Sequence, residues 1–464
     1  MTYQVLHDPF WVWCEYHAPR SEAVDETTRY QKMLMQQGVE FEHAWIQTHY
    51  PGAVTIEPAF GFEALKNTLA AMLAGVPAIT QPQLWDLPDG SYGKADLLVR
   101  DDSRESDLGP FHYRLVEIKR SKTLRDYHVM QAALYNRMVG RLQGRTPGDL
   151  TVALKTGVEK VAFSGVEEQL NNTLEIWKTL RGDGRVPEPK RPPDTTSSPW
   201  RRYGNKWVES RQDLVLLAGV GAKERAMLHQ AGIHRVDELW GLSLEAVTEM
   251  LGVAHGGTAY HVAQAYKTGS PVAVPGARLA IPRARRSLYF DFETSDDVHP
   301  TEPPHVYLIG CWDGTRDQFV KFLAHGAENE ARIFTDFYDF VGDAADCRLY
   351  HWSDFEVRQM ERVIQRWPHL EGMLRSLISN CVDLKEAIQD AVYLPVPSFS
   401  IKCVAPALGF HWRQKDFGAF ESMVAYWDYL AGRGENGVNK AILYNEDDCV
   451  AMWHVDQEIT KRFA

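Results

Sequence analysis

Two runs of the chain set acids and an amine where hard-cation chemistry could occur. In Leu115-Val116-Glu117-Ile118-Lys119 the strand period of two sends Glu117 and Lys119 to one face, and Val116 and Ile118 into a core on the other. With Asp96 upstream in Gly93-Lys94-Ala95-Asp96-Leu97, Glu117 can hold a divalent cation through oxygen. Lys119 can then orient a water, or stabilise charge developing on a phosphate beside it. The plainer alternative is a cross-strand ion pair in a hairpin, a common neighbour in sheets. The second run is Ser287-Leu288-Tyr289-Phe290-Asp291-Phe292-Glu293-Thr294, in which Asp291 and Glu293 share one strand face. Near the carboxyl end Tyr444 and Asp448 stand one helical turn apart, at what reads as the start of a helix.

The elements that must position these groups are legible as periodicities. A helix from about Thr27 to His49 carries Glu42 one turn beyond Gly38, with Glu40 and His43 as neighbours that could serve instead. Gln131 and Tyr135, spaced i,i+4, share a helix face. Tyr307–Trp312 and Arg348–Trp352 read as strands beside the Asp291 strand, the second followed by a helix through Arg366. Ser398–Gly409 reads as a segment that builds the fold rather than one that does chemistry.

Helix acid, strand Asp, strand E-x-K and helix Q-x-x-x-Y, in that order, resemble the RecB-like branch of the PD-(D/E)XK nucleases over roughly residues 1–180, with Ala95 where the superfamily's name has proline. The resemblance implies Glu42, Asp96 and Glu117 as metal ligands, Lys119 as the catalytic lysine, and Gln131 and Tyr135 as supporting groups. Some relatives hold an iron-sulfur cluster through four cysteines. Cys14 is the one cysteine in that half, so no cluster is expected.

The D-x-E strand plus a terminal Y-x-x-x-D resembles the tyrosine-bearing DEDD exonucleases of the RNase H-like fold, over roughly residues 285–464. It implies two cations clamped by four carboxylates, with Asp291, Glu293 and Asp448 as ligands and Tyr444 orienting the water. Glu356 is the choice for the fourth carboxylate and Asp354 its competitor; Asp447 competes with Asp448 at the wrong spacing from Tyr444.

Between the two lies Asp213–Leu228, with Gly219-Val220-Gly221-Ala222-Lys223 inside it, then Ala231-Gly232-Ile233 and a second apolar helix around Val236–Leu242. It resembles a helix-hairpin-helix module. In that motif Gly219 and Gly221 let backbone amides at a helix start approach a phosphate, with Lys223 beside them; a purely structural helical hairpin is the alternative. Residues 186–200, rich in proline and short polar residues, read as a linker, and 255–286 as a second connection. The expected fold class is therefore multidomain α/β. A PD-(D/E)XK restriction-endonuclease-like core at 1–185 precedes a basic linker at 186–212, a helix-hairpin-helix module at 213–275 and an RNase H-like mixed-sheet domain at 285–464. That order resembles the two-module RecB-family nucleases, and implies a Mg²⁺- or Mn²⁺-dependent nuclease acting on DNA, in repair or in defence against foreign DNA.

Composition bounds these readings. At 464 residues, 44% hydrophobic and 24% charged, the chain is globular and long enough for two cores. No run approaches the ~18 apolar residues of a membrane span, and the amino terminus lacks a signal-peptide pattern, so a cytoplasmic location is expected. Six cysteines without C-x-x-C spacing argue against zinc or redox work. A net charge of −12 disfavours a protein that coats nucleic acid, although basic residues cluster locally at Lys190, Arg191, Arg201, Arg202, Lys206 and Arg211, and again at Arg283, Arg285 and Arg286. Neither a phosphate-binding G-x-x-x-x-G-K-[ST] loop nor a G-x-S-x-G elbow is present, which excludes ATP-driven work and leaves serine-hydrolase chemistry without a candidate. Two rivals stand: a nucleic-acid-binding scaffold with one or both centres decayed, and an RNA-processing exonuclease. Protein partners are not indicated.

Overall fold

A computed structural model of the protein describes residues 2–463 apart from 183–184, 193, 297–298, 300–301 and 344–345, and apart from the side chain of Glu435. The chain divides into two compact units, Met1–Lys190 with Thr196–Arg202, and Arg191–Thr195 with Tyr203–Ala464.

The first unit opens with α1 (Thr2–His7), α2 (Pro9–His17) and the long α3 (Arg29–His49), whose start is fixed by reciprocal bonds between Thr28 and Gln31. Strands β1 (Val54–Thr55) and β2 (Ala78–Thr80) flank α4 (Phe62–Leu73). The hairpin β3 (Gln83–Asp86) and β4 (Ser91–Lys94) follows, then β5 (Leu97–Asp101), β6 (His112–Ile118), α5 (Asp126–Gln143), β7 (Asp149–Leu154), β8 (Gly157–Ala162) and α6 (Glu167–Arg181). Apart from the β3/β4 hairpin, these strands form one sheet in the order β1-β2-β5-β6-β7-β8. β5 and β6 are antiparallel, whereas β6 and β7 are parallel with α5 as their crossover. Alternation along β6 holds, but both faces are covered. Leu115 packs with Met130, Ala133 and Leu134 of α5, while Val116 and Ile118 pack with Phe41, Trp45 and Ile46 of α3. Burial of each such side chain contributes about 1.5–3 kcal/mol, and it leaves Glu117 in the dry layer beneath α5.

The proline-rich stretch forms no helix or strand before residue 201, as its prolines dictate, but it is held down rather than free. Thr196 and Ser197 donate to the Asp8 carboxylate at 2.6 and 3.1 Å, and Trp200 is fully buried with its indole N–H on Glu15 at 2.7 Å. Pro193, one of the linker prolines, lies outside the described residues. The rest of the segment expected as linker is helical, α7 (Arg201–Arg211), with Val208 buried in an apolar cluster of the second unit.

That cluster is built by α8 (Ala222–Gln230), a 3₁₀ turn at Val236–Gly241 where a second α-helix was expected, α9 (Leu244–Leu251) and α10 (Val253–Thr268). Helix α10 occupies residues whose glycines read as a connection. The reason is close packing: a Cβ on Gly256 would lie 2.5 Å from Cα of Thr248 in α9, so Gly256 marks a helix contact and not a break. Beyond it come β9 (Val272–Ala273), β10 (Arg286–Thr294), β11 (Val306–Asp313), β12 (Gln318–Leu323), α11 (Glu330–Val341), β13 (Cys347–His351), α12 (Phe355–Arg366), α13 (Glu371–Ile378) and β14 (Cys381–Asp383). The chain ends with α14 (Leu384–Gln389), β15 (Val392–Tyr393), α15 (Ile401–Ala407), α16 (Ala419–Leu430) and α17 (Glu435–Phe463). The five-stranded sheet has the order β12-β11-β10-β13-β14, with β10 central, antiparallel to β11 and parallel to β13. One face of β10 sends Leu288, Phe290 and Phe292 against Ile333, Phe334 and Phe337 of α11. Among the described residues no helix is long and apolar enough to cross a membrane.

Gly256→Ala should lower stability by about 1–3 kcal/mol through overpacking. Gly257→Ala, with nothing within 4 Å of its added carbon, should raise it by up to about 1 kcal/mol. Urea unfolding followed by circular dichroism compares them, and equal destabilisation would contradict the packing assigned to Gly256.

Candidate metal centres

In the second unit, period two sends Asp291 and Glu293 off the face of β10 opposite the phenylalanines, and α17 brings Asp448 to meet them. One carboxylate oxygen from each of Asp291, Glu293 and Asp448 lies within 4.8 Å of the other two. Among the described residues no other trio of His, Cys, Asp or Glu meets that test. Helix α17 starts at Glu435, so Tyr444 sits more than two turns inside it rather than at its start. It can lie close to the sheet because β11 carries Gly310: a Cβ there would fall 1.7 Å from Oδ1 of Asn445. Asn445 in turn donates to Asp291 Oδ2 at 2.8 Å.

The fourth acid is Glu356. It is buried in the first turn of α12 and hydrogen-bonded to Asp291, and its Oε2 has no hydrogen-bond partner among the described residues. Its competitor Asp354 is exposed and pairs with Arg358 at 3.1 Å. Asp447 is likewise outside the cluster, accepting from the backbone N–H of Arg413 at 2.9 Å and from its Nε at 2.6 Å. Burial and then Asp448 push Asp291 up to about 8, and burial followed by Asp291 raises both Glu293 and Glu356 well above the carboxylate range. Asp448 is raised by burial against the opposing pull of Lys402. Two carboxyls this close repel when both are ionised, and a shared proton or a bound cation would relieve that repulsion between Asp291 and Glu356. Four carboxylates, one with a buried oxygen that accepts no hydrogen bond among the described residues and stands 3.7 Å from His351 Nδ1, are a donor set of the kind a hard divalent cation takes.

Lys402 is the residue the sequence reading misplaced. Ser398–Gly409 was expected to serve the fold, yet it forms α15 and delivers the Lys402 ammonium to Asp448 Oδ1, which also accepts from the Trp412 indole at 2.7 Å. The same ammonium stands 4.1 Å from the ring centre of Tyr444. Tyr444 is buried, and its hydroxyl is bonded to Asp448. No spacing rule connects positions 402 and 448; an isolated lysine beside an aromatic-rich segment was the available signal.

In the first unit, Asp96 sits at the entry to β5 and Glu117 on the adjoining β6, with Lys119 between them. Lys119 Nζ is 2.7 Å from Glu117 Oε2 and 3.3 Å from Asp96 Oδ2. Asp96 Oδ2 also accepts the Ile118 backbone N–H at 2.7 Å. Burial and then Asp96 push Glu117 up to about 8, and its Oε1 has no hydrogen-bond partner among the described residues. Burial works to lower Lys119, but Glu117 and Asp96 outweigh it and hold the ammonium up. Glu42 comes down from α3, raised to about 7 by burial and then by Asp96. Glu40 and His43 are exposed. Glu42 accepts from Gln81, whose own backbone N–H bonds the Asp96 carbonyl and whose φ of 57° is a left-handed conformation unusual for a side-chain-bearing residue. Gln81 was not legible as a site residue. Gln131 bonds the Tyr135 hydroxyl on the α5 side, where burial and Glu117 hold that phenol up at about 12. Ala95 donates its N–H to the Pro82 carbonyl at 3.1 Å, a bond that proline could not make.

The helical module and the basic clusters look different in place. Gly221 caps α8, but Glu224 Oε2 lies 2.5 Å from where its Cβ would be, so a carboxylate already covers the helix start assigned to phosphate; Lys223 is exposed. Gly219 has φ 80°, which suits glycine, and Arg225 donates to the Val220 carbonyl that follows it at 2.6 Å. Arg283 pairs with Asp456, Arg285 with Asp346 and Arg286 with Asp313. These arginines are spent on carboxylates of their own unit.

A buried carboxyl raised from about 4 in the unfolded chain to about 8 makes the folded state bind more protons between those values. Without metal, stability should therefore fall as pH rises through that window. In EDTA, Asp291→Asn should melt at least about 2 °C higher relative to wild type at pH 8 than it does at pH 5. Added Mg²⁺ should raise the wild-type midpoint by more than the variant's, which keeps only the acids of the first unit intact. A difference independent of pH would refute the mutual repulsion described here.

No curated protein matches the chain. Residues 288–460 match the family model of the RNase H superfamily, which supports an RNase H-like module in the second unit and suggests a nuclease-type activity on nucleic acids.

Proposed function

We propose that the protein is a divalent-metal-dependent DNA nuclease, using Mg²⁺ or Mn²⁺, with a hydrolytic centre in each unit. The observation that carries the reading is the convergence of Asp291, Glu293 and Asp448, joined by Glu356, inside an RNase H-like domain. Bound at these acids, divalent cations would supply an activated water and a counter-charge for the scissile phosphate. The chain's own groups do the rest. Tyr444, held by Asp448, presents its hydroxyl to orient the attacking water, and Lys402 keeps Asp448 in place and adds positive charge next to the phosphate.

For the first unit the proposal is a RecB-like PD-(D/E)XK centre, supported by the meeting of Glu42, Asp96, Glu117 and Lys119. There Glu42, Asp96 and Glu117 would hold the cation, and Lys119 would face the phosphate as its ammonium charge requires. Gln131 and Tyr135 would brace Glu117 from α5. The helical module around Gly219, Gly221 and Lys223 would contact nucleic acid only if the Glu224 carboxylate moved from the start of α8. Repair of DNA or defence against foreign DNA is the role such an enzyme would fill.

End-labelled single-stranded and duplex DNA, with RNA of the same sequence in parallel, test this in Mg²⁺ and Mn²⁺. Lys119→Ala and Asp291→Ala should each lower a different activity by about 100-fold or more. Equal loss from both substitutions would mean the centres act as one. Intact substrates that are nonetheless shifted in mobility would favour a scaffold with decayed centres, and cleavage of RNA alone would move the substrate to RNA.

A further inference from the structure

The β3/β4 hairpin and the start of α4 enclose an open cleft of about 560 Å³ in the first unit. Its rim is unusually apolar for a surface: Phe60 is 66% exposed, Phe62 64%, Tyr92 72% and Leu87 80%. Grouped exposure of this kind marks a binding surface more often than chance. The rings do not satisfy one another. Trp85 stands 6.4 Å from Phe62 and 6.5 Å from Tyr92, inclined at 59° and 54°, so their faces are splayed instead of stacked.

The second observation is independent of the rings. Four residues lining this cleft carry buried polar atoms with no hydrogen-bond partner among the described residues: Gln83 Oε1, Trp85 Nε1, Asp86 Oδ2 and Ser91 Oγ. Buried polar groups are nearly always bonded, so such a concentration in one cavity points to a ligand with a polar edge. Gln83 is fixed by its Nε2 bond to the Gly93 carbonyl at 2.9 Å, which leaves its oxygen as the free acceptor. Arg141 engages the other oxygen of Asp86 and offsets its charge. Lys94 stands 5.0 Å over the Phe60 ring, adding a cation beside the aromatic rim.

An aromatic slot whose wall carries two acceptors, an indole donor and a hydroxyl that can do either, with a lysine at its edge, suits a flat, amphipathic, anionic polymer. We propose that this cleft holds an unpaired nucleobase of single-stranded DNA, stacked on Phe60 and Tyr92, with its edge on Gln83, Trp85, Asp86 and Ser91. Two acceptors favour a base with an exocyclic amine, so cytosine and adenine are preferred over thymine. The same strand of the hairpin leads from Tyr92 to Asp96 in four residues, at most about 14 Å, or about four nucleotides at 3.4 Å each. The cleft would thus grip a strand whose backbone continues to the Asp96 and Glu117 carboxylates. The placement of that strand rests on the nuclease reading; the base site itself does not.

Fluorescence anisotropy of labelled 15-nucleotide strands with the full chain in EDTA separates the two. Oligo(dC) should bind at least 3-fold tighter than oligo(dT). Tyr92→Ala and Phe60→Ala, both at exposed positions, should each weaken oligo(dC) binding at least 5-fold, the scale of one lost base stack, without changing duplex binding. Single-strand binding by both variants at the wild-type level, or no single-strand binding by the wild type, overturns the cleft. Equal affinity for the two oligonucleotides overturns the recognition of the base edge. Cleavage in Mg²⁺ is scored separately: variants that bind as wild type while the wild type cleaves defeat the cleft alone, and weakened variants of a protein that never cleaves defeat the nuclease reading alone.

Discussion

Like charges cannot be gathered in a dry interior without something to hold them there, and both units are arranged around that fact. Buried Glu293, Glu356 and Asp448 gather around half-buried Asp291, and half-buried Asp96 meets buried Glu117 in the same way. In each place one lysine, Lys402 or Lys119, supplies part of the balance. Burial acts against the charge that remains, raising Asp291 and Glu117 well above the usual carboxylate range. A surface acid would need none of this, since water screens it. The arrangement is costly to the empty fold, a cost that a bound cation would offset.

The scaffolds solve the positioning problem alike although their sheets differ. A strand interior to the sheet puts apolar residues on one face and acids on the other: Phe290 and Phe292 against Asp291 and Glu293 in β10, Val116 and Ile118 against Glu117 in β6. A helix then closes over the acidic face. Over β10 it is α17, admitted by Gly310; over β6 it is α5, with Gln131 and Tyr135. Apolar packing on the opposite face fixes each strand's register, and a slip of one residue would turn every acid into the core.

That shared device explains what could be read from the chain and what could not. Asp291 with Glu293, and Glu117 with Lys119, announce themselves because a period of two is a local property. Tyr444 with Asp448, and Gln131 with Tyr135, do so through the helical turn. Lys402, Asn445 and Gln81 reach their partners across the tertiary fold, so no local spacing reveals them. Composition also misled where glycine has two meanings: Gly256-Gly257 reads as a break, yet Gly256 serves as a contact between α9 and α10. The proline-rich stretch was read correctly as lacking regular structure, but its short polar side chains and Trp200 anchor it, and anchoring leaves no periodic trace. The basic clusters show the same limit, since sequence lists arginines without the carboxylates that claim them.

The path of the chain near residue 200 has an architectural corollary. Residues 191–195 are part of the second unit, 196–202 return to the first, and everything from 203 onward lies in the second again. Arg191 clasps the carbonyls of Val215 and Val220, whereas Trp200 plugs the core beside Glu15. No single peptide bond therefore separates the halves cleanly. Severed ahead of 191, the amino-terminal piece forfeits its plug; severed after 202, it carries off a clasp that its neighbour requires. A cut anywhere between the units therefore costs one of them a piece of its own packing, so the two halves are bound together by the route of the chain itself.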